Sequence, residues 1–205
     1  MSKVDVSEFG KEVGLIHEAL VVGRKVGAGQ LFWKKIASDP NKFREIMEFF
    51  YTYEVKVDRA IISGNEELSR LVKFCESNQK SKKQENIGIQ NIALTLVYFD
   101  VSTIDRTHLK PFFQTLNAFL KARSYRQANI IELACFAIQY PDAVFEDAVV
   151  AAGSAIVSPF AHGSWKCQVP YLNEDRSTAY EEPIKLWQGN FWFGGFKWFA
   201  AIREK

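Results

Sequence analysis

The sequence predicts an α+β fold, in which a helical N-terminal region precedes an antiparallel sheet region near the C-terminus. Two observations lead to this prediction. Apolar residues in positions 1–50 recur at intervals of three and four, which is the period of an amphipathic helix. From residue 148 onward, short β-branched and aromatic runs alternate with brief polar turns, and connections this short join antiparallel strands. We therefore predict a helical region over residues 1–52 and an α+β domain with an aromatic-rich C-terminal sheet over residues 53–205.

The helical region is predicted to contain two or three short helices. One of them begins at Asp39-Pro40, because Asp is a favoured N-cap and Pro fits the first helical position, where its missing N–H is no loss. The glycine-containing segment of residues 23–29 superficially resembles a phosphate-binding loop. It lacks the Gly-Lys-Ser/Thr ending and follows no buried strand, so we interpret it as a linker between helices.

The middle of the chain is predicted to alternate between strands and helices. Residues 53–62 alternate in the manner of a strand, and a helix follows over residues 66–75. Residues 76–88 carry three lysines among polar side chains and almost no apolar ones, which predicts a surface loop. Residues 89–99 are rich in β-branched and aromatic side chains and form the strongest strand prediction of this part.

Two capping signals predict the later helices. Ser102-Thr-Ile-Asp105 opens a helix through Phe119, and Asn129-Ile-Ile-Glu132 opens another that ends at Tyr140-Pro141. The small apolar run of residues 149–157 is predicted to be one buried strand. Further strands are predicted over residues 165–172, 180–187 and 191–203.

Composition describes an ordinary globular protein. The 205 residues are 47% hydrophobic and 24% charged, and the net charge of +2 does not indicate an acidic or basic partner. No apolar run is long enough to cross a bilayer or to act as a signal peptide, so we expect a cytoplasmic protein without membrane contact. The three widely separated cysteines are interpreted as free thiols in a reducing compartment.

The residues that usually carry chemistry are scattered. His17, His108 and His162 have no neighbours at the spacing of a zinc site, and Gly153-Ser154 is not part of a hydrolase nucleophile elbow. The adjacent acids Glu181-Glu182 would point to opposite faces of a strand. We accordingly predict no catalytic residue, no metal and no cofactor, although an enzyme whose site is assembled from distant residues remains an alternative.

The aromatic C-terminus is the strongest candidate for recognition. Residues 165–203 hold four of the five tryptophans, and rings that do not fit in the core are rigid amphipathic anchors. We therefore predict a non-catalytic module that binds a protein or a small ligand. The predicted ligand-binding residues are Trp165, Tyr171, Trp187, Asn190, Trp192 and Phe193.

A nucleic-acid-associated accessory protein is the alternative. Basic side chains near the N-terminus and in the polar loop would contact phosphates, and the affinity would then fall steeply with salt. The residues of this alternative are Arg24, Lys25, Lys34, Lys35, Lys80, Lys82 and Lys83.

Several motifs follow one another along the C-terminal part of the chain: Asn129-x-x-Glu132-Leu133, Tyr140-Pro141, Ala152-Gly153-Ser154, Val169-Pro170-Tyr171-Leu172, Trp187 and the closing Trp198-Phe199-Ala200-Ala201-Ile202-Arg203. In this order they resemble a family of short uncharacterised bacterial proteins. N-terminal matches at Gly23-Arg-Lys-x-Gly27-Ala, Phe32-Trp33 and Phe43 extend the likeness over most of the chain. The resemblance implies no particular activity.

Residues 128–205 also resemble, more remotely, C-type lectin-like modules, including the variable binding proteins of diversity-generating retroelements. In those modules a capped helix precedes a Trp-rich sheet whose aromatic and polar positions contact the ligand. Here Gln127-Ala128-Asn129 replaces the usual Pro-Thr start, and Ile184 rather than Asn follows Glu182-Pro183. No Trp-Asn-Asp sequence is present, so the resemblance does not extend to a calcium-dependent sugar site.

Overall fold

The computed structural model describes residues 30–78, 88–99, 109–143, 148–159, 165–172, 184–189 and 198–204. The chain divides into two compact units, Met1–Met47 and Glu48–Lys205. Helix α1 spans Gln30–Ser38, and α2 spans Pro40–Phe50 and so crosses the division. The predicted helix start is confirmed, because the Asp39 carboxylate accepts hydrogen bonds from the backbone N–H groups of Asn41 and Lys42 at 3.1 and 3.3 Å.

The second unit combines helices with a mixed sheet, which confirms the α+β class. Its helices are α3 (Arg59–Ser63), α4 (Glu66–Asn78), α5 (Leu109–Lys121) and α6 (Ile130–Gln139). Its strands are β1 (Thr52–Val57), β2 (Gln90–Tyr98), β3 (Tyr125–Gln127), β4 (Val149–Val150), β5 (Ile156–Pro159), β6 (Trp165–Leu172), β7 (Ile184–Gly189) and β8 (Trp198–Arg203).

The sheet draws on the middle of the chain as well as its end. The strand order is β1-β2-β8-β4-β6-β5, with β3 beside β8 and β7 beside β6. Leu172 pairs with both Val149 and Ile184, so β4 and β7 must flank β6 on opposite sides. Within the described residues, β1 therefore lies at one margin of the sheet, and β7 lies on the side of β6 opposite to β4. The C-terminal strand β8 lies inside it, between β2 and β4.

Helices cover both faces of the sheet. On one face, Leu94, Leu96, Ala200 and Ile202 pack with the buried side chains of α4 and α6. On the other face, the alternate residues Val97, Phe199 and Ala201 pack with Phe112, Leu116 and Leu120 of α5. Neighbouring residues of a strand point to opposite faces of the sheet. Since helices cover both faces, β8 is apolar at successive positions and is buried on both sides.

Two strand predictions were wrong in extent. Residues 53–62 do not form one strand, because Asp58 ends β1 and caps α3 by accepting a hydrogen bond from the Ala60 N–H at 2.9 Å. Residues 149–157 are interrupted by a 3₁₀ turn, Ala152–Ser154, which separates β4 from β5. The strand predicted over residues 180–187 is described over Ile184–Gly189, so it extends past Trp187, and the predicted portion at residues 180–183 lies outside the described residues.

Two other elements match the sequence prediction only in part. The last strand is described over Trp198–Arg203, and the predicted portion at residues 191–197 lies outside the described residues. The helix predicted to open at residues 102–105 is described from Leu109, and that capping signal also lies outside the described residues. The C-terminal sheet region was predicted as antiparallel, but β4 runs parallel to β8, so the sheet is mixed.

Candidate functional site

A group of aromatic side chains lies where α2 passes into β1. We call it the aromatic corner; it consists of Phe49, Phe50, Tyr51, Tyr98 and Trp198. Phe49 and Phe50 are 77% and 70% exposed, and Tyr98 is 46% exposed, whereas Trp198 is buried. Large apolar side chains exposed next to one another on a soluble fold are typical of an interaction surface.

Strand pairing holds the corner in position. Tyr98 lies opposite Trp198 in the β2–β8 ladder, and the two rings meet edge to face with centroids 5.5 Å apart. The Tyr51 ring lies 5.0 Å from Trp198, and the Tyr51 carbonyl accepts a hydrogen bond from the Leu96 N–H at 2.9 Å. Phe49 and Phe50 come directly before Tyr51 and contact each other at 5.9 Å. The exposed rings are therefore attached to a rigid, hydrogen-bonded frame.

Sequence reasoning did not select most of this corner. It treated Trp198 as one ring of the aromatic tail and assigned Phe50 to a helical apolar stripe. A local signal was present, because three consecutive aromatic residues at a helix end cannot all point into one core. Phe49-Phe50-Tyr51 is such a run.

The predicted ligand-binding residues are only partly within the described chain. Tyr171 lies on β6, and its partly buried side chain packs against the cluster beneath α5. The backbone of Trp187 pairs with Val169, two residues before Tyr171, and Tyr171 itself pairs with Lys185. Trp165 begins β6 and stands about 20 Å from Tyr171, at roughly 3.3 Å per residue. The other three predicted residues, Asn190, Trp192 and Phe193, lie outside the described residues.

The basic residues of the nucleic-acid alternative are also only partly described. Lys34 and Lys35 are exposed on α1. Arg24 and Lys25 lie outside the described residues, as do Lys80, Lys82 and Lys83. Phosphate contact by this set stays a prediction.

A polar cluster ties the end of α2 to the sheet. The Tyr125 hydroxyl donates to the Glu48 carboxylate at 3.2 Å and accepts from the Arg203 guanidinium at 3.4 Å. The Thr52 hydroxyl donates to the Glu48 carbonyl at 2.6 Å and lies 2.9 Å from the Thr95 hydroxyl. These hydrogen bonds fix the segment that carries Phe49 and Phe50, so we assign the cluster a supporting role for the aromatic corner.

The N-terminus of α6 satisfies its polar groups within the protein. Asn129 and Glu132 form a reciprocal capping box, as the sequence predicted, and the Ser154 hydroxyl accepts from the Ile130 N–H at 2.8 Å. The Glu132 carboxylate is buried and receives two hydrogen bonds from Arg126, at 3.0 and 2.6 Å. The hydrogen bonding of the Arg126 guanidinium to the Glu132 carboxylate raises the pKa of Arg126 above its ordinary value. This arrangement is structural, because the donors that would hold an anion are already engaged.

The three cysteine thiols are buried, free and poorly suited to catalysis. Burial raises the pKa of Cys75 and of Cys167 to about 12, and it also raises the pKa of Cys135. Such thiols remain protonated at neutral pH, where only the thiolate is a good nucleophile. Among the described residues, His, Cys, Asp and Glu side chains form no group of three placed to hold a metal ion.

Comparisons add no relative to this description. No family model, no curated protein and no solved structure matches the chain. The resemblances to a bacterial family and to lectin-like modules therefore stay predictions. In the described part of the chain, no helix combines the length and hydropathy needed to cross a bilayer.

Proposed function

We propose that the protein is a non-catalytic binding module that takes a partner at the aromatic corner. The single observation that carries the proposal is the exposure of Phe49 and Phe50, which directly precede Tyr51 in the chain, where the Tyr51 and half-exposed Tyr98 rings both contact the buried Trp198. Covering each exposed ring would contribute about 2 kcal/mol. Rings on a rigid frame also lose little conformational entropy when they bind.

The chemistry of the remaining described residues supports binding more than catalysis. The buried thiols are neutral, and the buried carboxylate of Glu132 is occupied by Arg126 and Asn129. A polar group that is already hydrogen-bonded inside the fold is poorly placed to contact a substrate. The partner is predicted to present an apolar or aromatic surface, because the corner offers rings rather than charges.

A double variant tests the proposal. Phe49→Ala together with Phe50→Ala should weaken partner binding at least tenfold, since two ring contacts of about 2 kcal/mol each are removed. Stability should change by less than about 0.5 kcal/mol, because both side chains are exposed. Tagged native and variant proteins are incubated with lysate of the source cells, and the retained molecules are identified by mass spectrometry.

Phe74→Ala is the matched control. Phe74 is a partly exposed aromatic residue, 39% accessible, on α4 and outside the aromatic corner. A molecule that binds the corner is retained by the native chain and by this control but not by the double variant. Equal retention by all three proteins, with unchanged urea unfolding, would show that the corner is not the binding site.

A further inference from the structure

The outer edge of β1 is closed by hydrogen bonds with side chains rather than with another strand. Alternate residues of a strand direct their backbone groups to opposite sides, and Thr52, Glu54 and Lys56 turn theirs away from β2. The Gln139 side chain accepts from the Lys56 N–H at 3.0 Å and donates to the Lys56 carbonyl at 2.8 Å. One amide side chain thus makes both hydrogen bonds that a neighbouring strand would make.

A second side chain extends this closure along the strand. The Tyr140 hydroxyl donates to the Glu54 carbonyl at 2.8 Å. Its ring is held by contacts with Phe136 and Tyr53, whose centroids lie 5.6 and 5.0 Å away. Gln139 also donates to the Cys135 carbonyl at 3.0 Å, which keeps it at the end of α6. The end of α6 therefore occupies the strand edge in an ordered way.

The exposed residues of this edge are self-complementary. Glu54 and Lys56 lie on the same, solvent-facing side of β1, while Val55 between them is buried against the helices. If two β1 strands run antiparallel with Val55 opposite Val55, each Glu54 faces Lys56 of the other copy. In that register the outward backbone groups of Glu54 and Lys56 also form a hydrogen-bonded pair. Lys56 otherwise lies 3.4 Å from Asp58 in an ion pair whose lysine side chain is half-exposed.

We infer that the outer edge of β1 is a pairing surface for a second copy of this chain, held closed by Gln139 and Tyr140. Opening requires the end of α6 to leave the edge, after which two copies pair through four backbone hydrogen bonds and two Glu54–Lys56 ion pairs. In the native state the closure keeps a strand edge from associating, which is a hazard of exposed sheet margins. The surface is separate from the aromatic corner and does not depend on the proposed function.

Opening the edge by substitution tests the inference. Gln139→Ala with Tyr140→Phe removes the hydrogen bonds to β1 and keeps the aromatic contacts of residue 140. We expect the mass measured by light scattering to double relative to the native chain as concentration rises, and to return on dilution. A native mass at every concentration, with an unchanged circular dichroism spectrum, would overturn the inference.

Charge reversal identifies the register. Adding Glu54→Lys to the open variant would bring lysines face to face and should abolish the doubling. Adding both Glu54→Lys and Lys56→Glu to the open variant places opposite charges face to face again and should restore the doubled mass. Glu54→Lys alone in the native chain is the matched control and should leave the mass unchanged, because the edge is closed. A doubling that is insensitive to Glu54→Lys in the open variant would refute pairing through β1.

Loss of folding is distinguished from opening by a milder change. If the double substitution unfolds the protein, Gln139→Ala alone is measured on the same mass criterion. It leaves Tyr140 in place and removes the hydrogen bonds of the Gln139 side chain, which accepts from the Lys56 N–H and donates to the Lys56 and Cys135 carbonyls. A smaller population of paired chains, again removed by Glu54→Lys, supports the inference. A folded protein that never exceeds the native mass contradicts it.

Discussion

Gly153 shows how one missing side chain permits a close approach between the 3₁₀ turn and the entry to α6. Its N–H donates to the Ala128 carbonyl at 3.0 Å, at the point where the 3₁₀ turn meets the entry to α6. A Cβ at residue 153 would lie 2.6 Å from that carbonyl oxygen, a contact with backbone that no rotamer change relieves. The glycine of the Ala152-Gly153-Ser154 motif is therefore required by packing.

Gly153→Ala is expected to destabilise the protein. The added methyl group must displace the Ala128 backbone, at a cost of about 1–3 kcal/mol. Gly88→Ala is the control, because nothing lies within 4 Å of the Cβ it would add. Urea unfolding of both variants measures the difference, and equal stability of the two proteins would contradict the packing assignment.

At the scale of the element, α6 is held to its surroundings by polar contacts at both of its ends. Its N-terminus is fixed by the capping box and by Ser154, its first turn holds the buried Glu132 against Arg126 of β3, and its last residues close β1. Because one helix satisfies polar groups at both of its ends, its position relative to the sheet is well determined.

The N-cap of α6 is predicted to contribute measurably. Asn129→Ala removes the side-chain oxygen that accepts a hydrogen bond from the Glu132 N–H at 3.0 Å. This loss should lower the free energy of unfolding by about 1 kcal/mol. Asn129→Asp keeps an acceptor oxygen and should stay closer to the native stability. Thermal or urea unfolding of the three proteins checks this order. A native-like stability of Asn129→Ala would mean that other contacts define the helix start.

At the scale of the whole molecule, the free cysteines link stability to pH. Cys75 and Cys135 are buried in the cluster on the α6 side of the sheet, and Cys167 is buried on the α5 side. Burial raises the pKa of Cys75 and Cys167 from 9.0 to about 12, so the folded state holds these protons more tightly than the unfolded chain. Their stabilising contribution is complete below pH 9.0 and is lost progressively as the pH rises to about 12.

This linkage predicts a steep alkaline loss of stability. Each thiol should lower the free energy of unfolding by up to about 1.4 kcal/mol per pH unit above its unfolded pKa. Urea unfolding at several pH values measures the slope, and Cys167→Ala should reduce it although the substitution itself costs stability at neutral pH.

A thiol reagent should label the native protein slowly and the unfolded protein at once. Rapid labelling of the native chain would contradict the burial.

Elements specified by neighbouring residues were predictable from the sequence. The Asp39-Pro40 helix start and the Asn129–Glu132 capping box follow from local hydrogen bonding, and the strand at β2 follows from its β-branched composition. The α+β class followed from the same local patterns. The sequence does not predict Asp58 as a helix cap, because residues 53–62 are predicted to form one strand.

Contacts between distant residues were decided only by the tertiary structure. The sequence showed an aromatic β8, but its burial on both faces depends on α5 and α6 covering opposite sides of the sheet. The aromatic corner arises because β2 and β8 pair Tyr98 with Trp198 next to Tyr51, and the closure of β1 requires Gln139 to reach Lys56. Local propensity depends on interactions between residues a few positions apart, whereas these surfaces depend on strand pairing between segments far apart in the chain.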